Sequence, residues 1–127
     1  MNSSNICFNR LLKAIESLEK AVIPPPLNDR ERDGAIQRFE YTFELAWKTA
    51  KKVLFVHGIV VNSPNATIRE LAVQGWIESS EKWMKFLNAR NSTSHMYSEE
   101  LASEIYEQIK FFLPEVQKLA KLLQDHS

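Results

Sequence analysis

The chain has a single cysteine, three glycines, no excess of either charge and no long apolar run in its 127 residues. Each shortage closes off a class of protein. Cys7 has no second cysteine to pair with and no CxxC companion, so neither an oxidised secreted scaffold nor a zinc ribbon is suggested. A reducing cytoplasm is the expected location. Lysine plus arginine equals aspartate plus glutamate at 16 each, which argues against a broad basic field for gripping long nucleic acid and leaves room only for a local basic pocket. No apolar stretch approaches the ~18 residues of a bilayer span, and Met1-Asn2-Ser3-Ser4 lacks the basic-then-apolar pattern of an export signal. No membrane partner is expected. The chain carries no internal repeat, low-complexity tract or inter-domain linker, and residues 1–127 are expected to form one domain around one core.

What is present is helical periodicity. Apolar residues recur at steps of three and four, not two, so an all-α fold is predicted. Ile6, Leu11, Leu12, Ile15, Leu18 and Val22 form the first stripe, with Asn2, Ser3 or Ser4 as N-cap candidates. Pro24-Pro25-Pro26 ends it as a stiff connector, with Leu27-Asn28 completing a turn. A long second helix is predicted from about Asp29 to His57 through Ile36, Phe39, Phe43, Trp47, Ala50 and Leu54, stopping at Gly58. Ser63-Pro64 reads as an N-cap followed by proline in the first turn, giving a short helix over Asn65 to Gln74 that faces Ile68, Leu71 and Ala72 inward and stops at Gly75. Ser79 or Ser80 caps a fourth helix through Trp83, Met84, Phe86 and Leu87, ending near Arg90 before the polar run Asn91-Ser92-Thr93-Ser94. The last helix starts at Ser98, with Glu99 and Glu100 in its first turn. It follows the stripe Leu101, Ile105, Ile109, Phe112, Val116, Leu119 and Leu123. Pro114 lies inside that stripe and predicts a kink or break near Leu113.

The segment from Arg90 to Tyr97 gathers a fixed cation, a titratable imidazole and a phenol between two helix ends. That combination suits phosphate chemistry. A guanidinium presents planar donors to phosphate oxygens, an imidazole moves protons near neutral pH, and the free amides of a following helix add positive potential. On an unbroken helix, residues five apart diverge by about 140°, so Arg90 and His95 can meet one ligand only if the backbone leaves the helix between them. On residue chemistry alone, a charge that ends a helix and a filled turn explain the segment equally well.

The spacing Arg90, four residues, His95, one residue, Tyr97 resembles the R-x4-H-x-Y signature of the HEPN superfamily, and Arg90-Asn91-Ser92-Thr93-Ser94-His95 is close to the RN-x-TSH form of one branch. The stretch from Ala35 to Lys48 resembles the second-helix motif of that branch, usually described as nucleotidyltransferase substrate-binding proteins. Ser63-Pro64, Ile68-Arg69-Glu70 and Gly75-Trp76-Ile77 fit as well. The matches run in order from Ala35 to Glu100, whereas the first helix and the tail resemble the family only in helical character. The resemblance implies an up-and-down bundle of four or five helices, a homodimer and a separate minimal nucleotidyltransferase as partner. It also implies a metal-independent endoribonuclease acting as the toxin of a two-component system, with RNA as substrate and with neither cofactor nor metal. Carried over, Arg90 stabilises charge on the scissile phosphate, His95 acts as general acid or base, Asn91 supports the site, and Tyr97 is the residue to which the transferase attaches a nucleotide. The alternative within the branch is a non-catalytic subunit that binds substrate for the transferase.

Glu40 and Glu44 lie one turn apart, an unfavourable like-charge spacing unless one finds a cation. Glu44 can pair with Lys48, and the sharper expectation is that it orients Arg90 across the bundle; a solvated ion pair is the plainer one. Trp47, Trp76 and Trp83 are expected to pack, not to stack on bases. His57 should favour a helix C-terminus, His126 should belong to a fraying tail, and no HExxH-like spacing offers a metal site. Lys48, Lys51 and Lys52 form a short basic stripe, read as a solvated face.

Overall fold

The computed structural model describes residues 6–95 and 97–127. Five α-helices follow one another: α1 (Asn9–Val22), α2 (Asp29–Val56), α3 (Pro64–Gln74), α4 (Ser80–Asn91) and α5 (Glu99–His126), with a 3-10 turn, Ser92–His95, between the last two. No strand occurs among the described residues. The fold is the expected all-α bundle.

Capping chemistry sets most boundaries. The side chains of Asn28, Ser63, Ser79 and Ser98 accept from the backbone amides of Glu31, Ala66, Lys82 and Leu101, each satisfying a donor that the first helical turn leaves free. Glu31 completes the arrangement at α2 by accepting from the Leu27 amide at 2.9 Å. Gly75 ends α3 in the left-handed conformation, φ 78°, where a side chain is strained. The first helix departs from expectation. It begins at Asn9 with Phe8 as an N-cap that makes no side-chain bond, so Ile6 precedes the helix, and Leu12 stays 39% exposed. Asn2, Ser3 and Ser4 lie outside the described residues.

Cross-helix contacts fix the directions. Ala14 and Ser17 of α1 meet Thr42, Arg38 and Tyr41 of α2, so these helices run antiparallel. Arg32 meets Glu99, Phe39 meets Phe112 and His57 meets His126, so α2 and α5 run parallel. Lys82 meets Glu115 while Ser92 shares a groove with Leu101, so α4 opposes α5. The order is up-and-down, with α3 an added short helix against α4 and α2.

Phe112 sits at the centre, edge-on to Phe39, Trp83 and Phe86 at 5.0–5.6 Å and tilted against Phe43 at 6.0 Å. Fully burying a side chain of this size contributes about 1.5–3 kcal/mol, so this cluster is a main source of stability. At α5, neither the break expected at Pro114 nor the fraying expected of the tail is found. Pro114 does not break it: the helix is continuous from Glu99 to His126, because Phe112, Leu113 and Val116 are all buried and their packing offsets the hydrogen bond that proline cannot donate. The tail does not fray either. The His126 ring stacks on Trp76 at 4.4 Å, and its carbonyl lies 2.8 Å from His57 Nε2.

Candidate active site

The Arg90–Tyr97 segment closes the chain between α4 and α5. The helix ends at Asn91, as the polar run requires, because each short hydroxyl there bonds back to the preceding backbone. Ser92 Oγ donates to the Asn88 carbonyl at 3.0 Å, and Thr93 Oγ1 donates to the Arg90 carbonyl at 2.8 Å. The backbone tightens into the 3-10 turn that carries His95, so Arg90 and His95 do not lie on one regular helix. Met96 lies outside the described residues.

Arg90 is half-buried, and its Nη2 donates to Glu44 Oε1 at 2.6 Å. Its Nη1 makes a longer contact with Asn91 Oδ1 at 3.4 Å, and its Nε is buried without a partner. Glu44 holds a second cation through its other oxygen, Lys48 Nζ at 3.1 Å. Burial pushes the Glu44 carboxyl up, but Lys48, Trp47 and Arg90 together outweigh it and hold the group below the usual carboxylate range. The Trp47 indole N–H contributes from close by without completing a hydrogen bond, and it remains an unsatisfied buried donor. Glu40 is exposed and forms no ion pair among the described residues.

His95 and Tyr97 are exposed, and their rings meet edge to face at 6.3 Å. Tyr97 is 90% exposed, open to a reagent from solvent. The structure thus gathers the sequence-selected residues into two groups, Arg90 with Glu44 and Asn91, and His95 with Tyr97. No hydrogen bond or ion pair among the described residues joins one group to the other. Within a single chain, no direct bond links the Arg90 guanidinium to the His95 imidazole or the Tyr97 phenol among the described residues.

Sequence reasoning missed the clamp that fixes the far side of this segment. Arg32, at the start of α2, grips Glu99 with both terminal nitrogens, at 2.9 and 3.0 Å, and also pairs with Asp33 and Asp29. The forked geometry holds the Arg32 guanidinium firmly protonated, through Glu99 first and Asp33 next against the opposing effect of burial, and it lowers the Glu99 carboxyl. It anchors the first turn of α5 two residues beyond Tyr97. The only signal in the sequence is the acidic first turn, whose nearer explanation is the helix dipole alone. Among the described residues, no group of three or more metal-ligating side chains converges, and no helix is long and apolar enough to cross a membrane.

Comparison with known proteins covers the chain from end to end. The family described as "Nucleotidyltransferase substrate binding protein like" matches residues 7–125, extending the likeness to the first helix and the tail. A Haemophilus influenzae protein named "Probable ribonuclease HepT" is 32% identical, with 100% of this chain and 98% of that one aligned. A crystal structure from Thermus thermophilus superposes with a TM-score of 0.83 at 32% identity, covering 89% of this chain and 98% of the other. A Haemophilus influenzae structure, described as revealing the fold of a substrate binding domain of a nucleotidyltransferase, superposes with a TM-score of 0.84 at 32% identity over 93% and 99%. The chain belongs to the nucleotidyltransferase substrate binding protein like family.

Proposed function

We propose that this protein works beside a separate minimal nucleotidyltransferase as the metal-independent RNA-cleaving toxin subunit of a two-component system. The observation that carries the reading is the Arg90–Glu44 ion pair held one 3-10 turn from an exposed His95. The likeness to a protein named as a ribonuclease supports it. In the proposed reaction, His95 takes the proton of a ribose 2′-hydroxyl. The 2′-oxygen then attacks the adjacent phosphorus, and the bond to the 5′-oxygen breaks as that oxygen takes a proton from water, after which His95 returns its proton to solvent. Arg90 stabilises the charge that builds on the phosphate oxygens. The products are a 2′,3′-cyclic phosphate and a 5′-hydroxyl. Because His95 and Arg90 share no bond within one chain, a homodimer that faces the His95 of one copy toward the Arg90 of the other would complete the site.

Tyr97 is the proposed point of control. Its exposed phenol can attack the α-phosphate of a nucleoside triphosphate bound by the transferase, losing its proton and releasing pyrophosphate. The resulting phosphodiester would set a negative charge beside the turn that carries His95, competing with RNA for Arg90. The test uses purified protein and end-labelled RNA in chelator. The parent should leave cyclic-phosphate ends, and Arg90→Ala and His95→Ala should each lose about 10²–10⁴-fold in rate. The second reading, a non-catalytic subunit that binds substrate for the transferase, is favoured by the likeness to a structure described as the fold of a substrate binding domain of a nucleotidyltransferase. It predicts a stable complex with the transferase and no RNA turnover by the parent protein.

A further inference from the structure

Away from the Arg90–Tyr97 turn, an apolar opening lies where the start of α1 meets the second half of α2 and the segment that follows it. It encloses about 730 Å³, and Leu45, Trp47, Val56, Ile59 and Val61 line it. Phe55, Val56 and Val60 are 67%, 40% and 67% exposed, so large apolar surface remains in water along its edge. The charges around it are all of one sign. Arg10, Lys48, Lys51 and Lys52 line the opening and no carboxylate does, although the whole chain is neutral. Lys48 is neutralised by Glu44, but Arg10, Lys51 and Lys52 form no ion pair among the described residues.

We infer that this groove docks an acidic amphipathic helix from a protein partner. Lys48, Lys51, Lys52, Phe55 and Val56 follow the steps of three and four that align residues on one helix face. From Leu45 to Phe55 the groove wall runs about 15 Å, close to three turns of a docked helix. An apolar stripe at i, i+3, i+4 and i+7 would cover the floor, and carboxylates flanking it would meet the three free cations. Charge separates this occupant from the other two. A second copy seated by two-fold symmetry would bring the same cations face to face, an unfavourable pairing. Single-stranded RNA would satisfy the cations and could stack on Trp47 or Phe55, but most of the apolar lining is aliphatic, with Leu45, Val56, Ile59, Val60 and Val61 in it, and phosphates and sugars gain little from covering that surface. The inference is independent of the chemistry proposed at Arg90 and His95.

Cys7 lines the groove, is exposed and is the chain's only cysteine, so its alkylation rate reports occupancy. The probe is a synthetic amphipathic peptide of about 18 residues, with leucines on one face and glutamates on both flanks, long enough at roughly 27 Å to span the groove. It should slow alkylation of the full-length protein and shift the NMR signal of the Trp47 indole N–H. The double variant Lys51→Glu/Lys52→Glu, with its fold checked by circular dichroism, should bind the peptide about tenfold or more weakly at low salt. Failure of the acidic peptide to protect Cys7 overturns the inference. So does equal protection by the same peptide with lysines for glutamates, or stronger protection by a short oligouridylate. Protection that rises with protein concentration alone would assign the groove to a second copy and overturn it as well.

Discussion

Replacing Glu44 with glutamine keeps the shape of the side chain and one hydrogen-bond acceptor, and removes the charge that faces Arg90 and Lys48. The contact is short, 2.6 Å between Arg90 Nη2 and Glu44 Oε1, and a hydrogen bond between ionised partners contributes about 1.5–3 kcal/mol when well shielded. Shielding here is incomplete. The two side chains retain 32% and 31% exposure, so solvent screening brings the expected loss in Glu44→Gln down to about 1 kcal/mol at neutral pH. The pH dependence has a definite sign. The folded carboxyl titrates below the unfolded one, whose reference value is about 4.3, so its stabilisation is full at higher pH and is lost as pH falls through the depressed folded value. Urea unfolding followed by circular dichroism, repeated from about pH 7 to pH 3, measures this. The parent should exceed the variant by about 1 kcal/mol at neutral pH, with the gap closing toward acid. A gap constant across that range would refute the reasoning, because the lost energy would then be packing and not charge. In the RNA assay, Glu44→Gln should cost less than Arg90→Ala, since the guanidinium stays and only its placement loosens.

Three further outcomes follow from particular contacts. Phe112→Ala empties the centre of the aromatic cluster and should cost about 3–5 kcal/mol, read as a large fall in melting temperature. Gly75→Ala meets no atom within 4 Å, so its expected loss of about 1–2 kcal/mol is backbone strain at positive φ alone, and Gly75→Asn should recover part of it in the same melt. Arg32→Ala releases Glu99 and should raise hydrogen exchange at the first amides of α5 bonded across its opening turn, Leu101 and Ala102, and should slow the proposed RNA cleavage through the loosened turn.

Most of the fold was legible because its boundaries are written in local chemistry. Asn28, Ser63, Ser79 and Ser98 cap through interactions within three residues, and Gly75 stops α3 through its own φ, so neighbours in sequence suffice to find them. What was not legible depends on distant partners. Pro114 reads as a break when its lost hydrogen bond, with the ring's clash worth about 3 kcal/mol in an isolated helix, is weighed alone. Buried neighbours on both sides tip that balance, and burial is a property of the bundle. His126 reads as a fraying end because its partners, Trp76 and His57, lie on other elements. The first helix misled for the opposite reason: Ile6 and Leu12 extended its stripe in sequence, but Ile6 packs against the core from before the helix begins, and Leu12 stays exposed.

At the site, the motif pointed to the candidate groups but not to how they are held. Arg90 and Glu44 stand 46 positions apart, and Arg32 and Glu99 stand 67 apart, so only the parallel course of α2 and α5 and the crossing of α4 bring the acids to the cations. The consequence for the proposed reaction lies in which nitrogen of Arg90 stays open. Nη2 is engaged by Glu44 and Nε is buried, whereas the Nη1 contact with Asn91 is long at 3.4 Å and therefore weak. Nη1 is the donor that a phosphate oxygen can capture at least cost. The Glu44 carboxylate thus fixes the plane of the guanidinium without occupying its free edge. Asn91, beside it in sequence, holds that edge loosely until a stronger acceptor arrives.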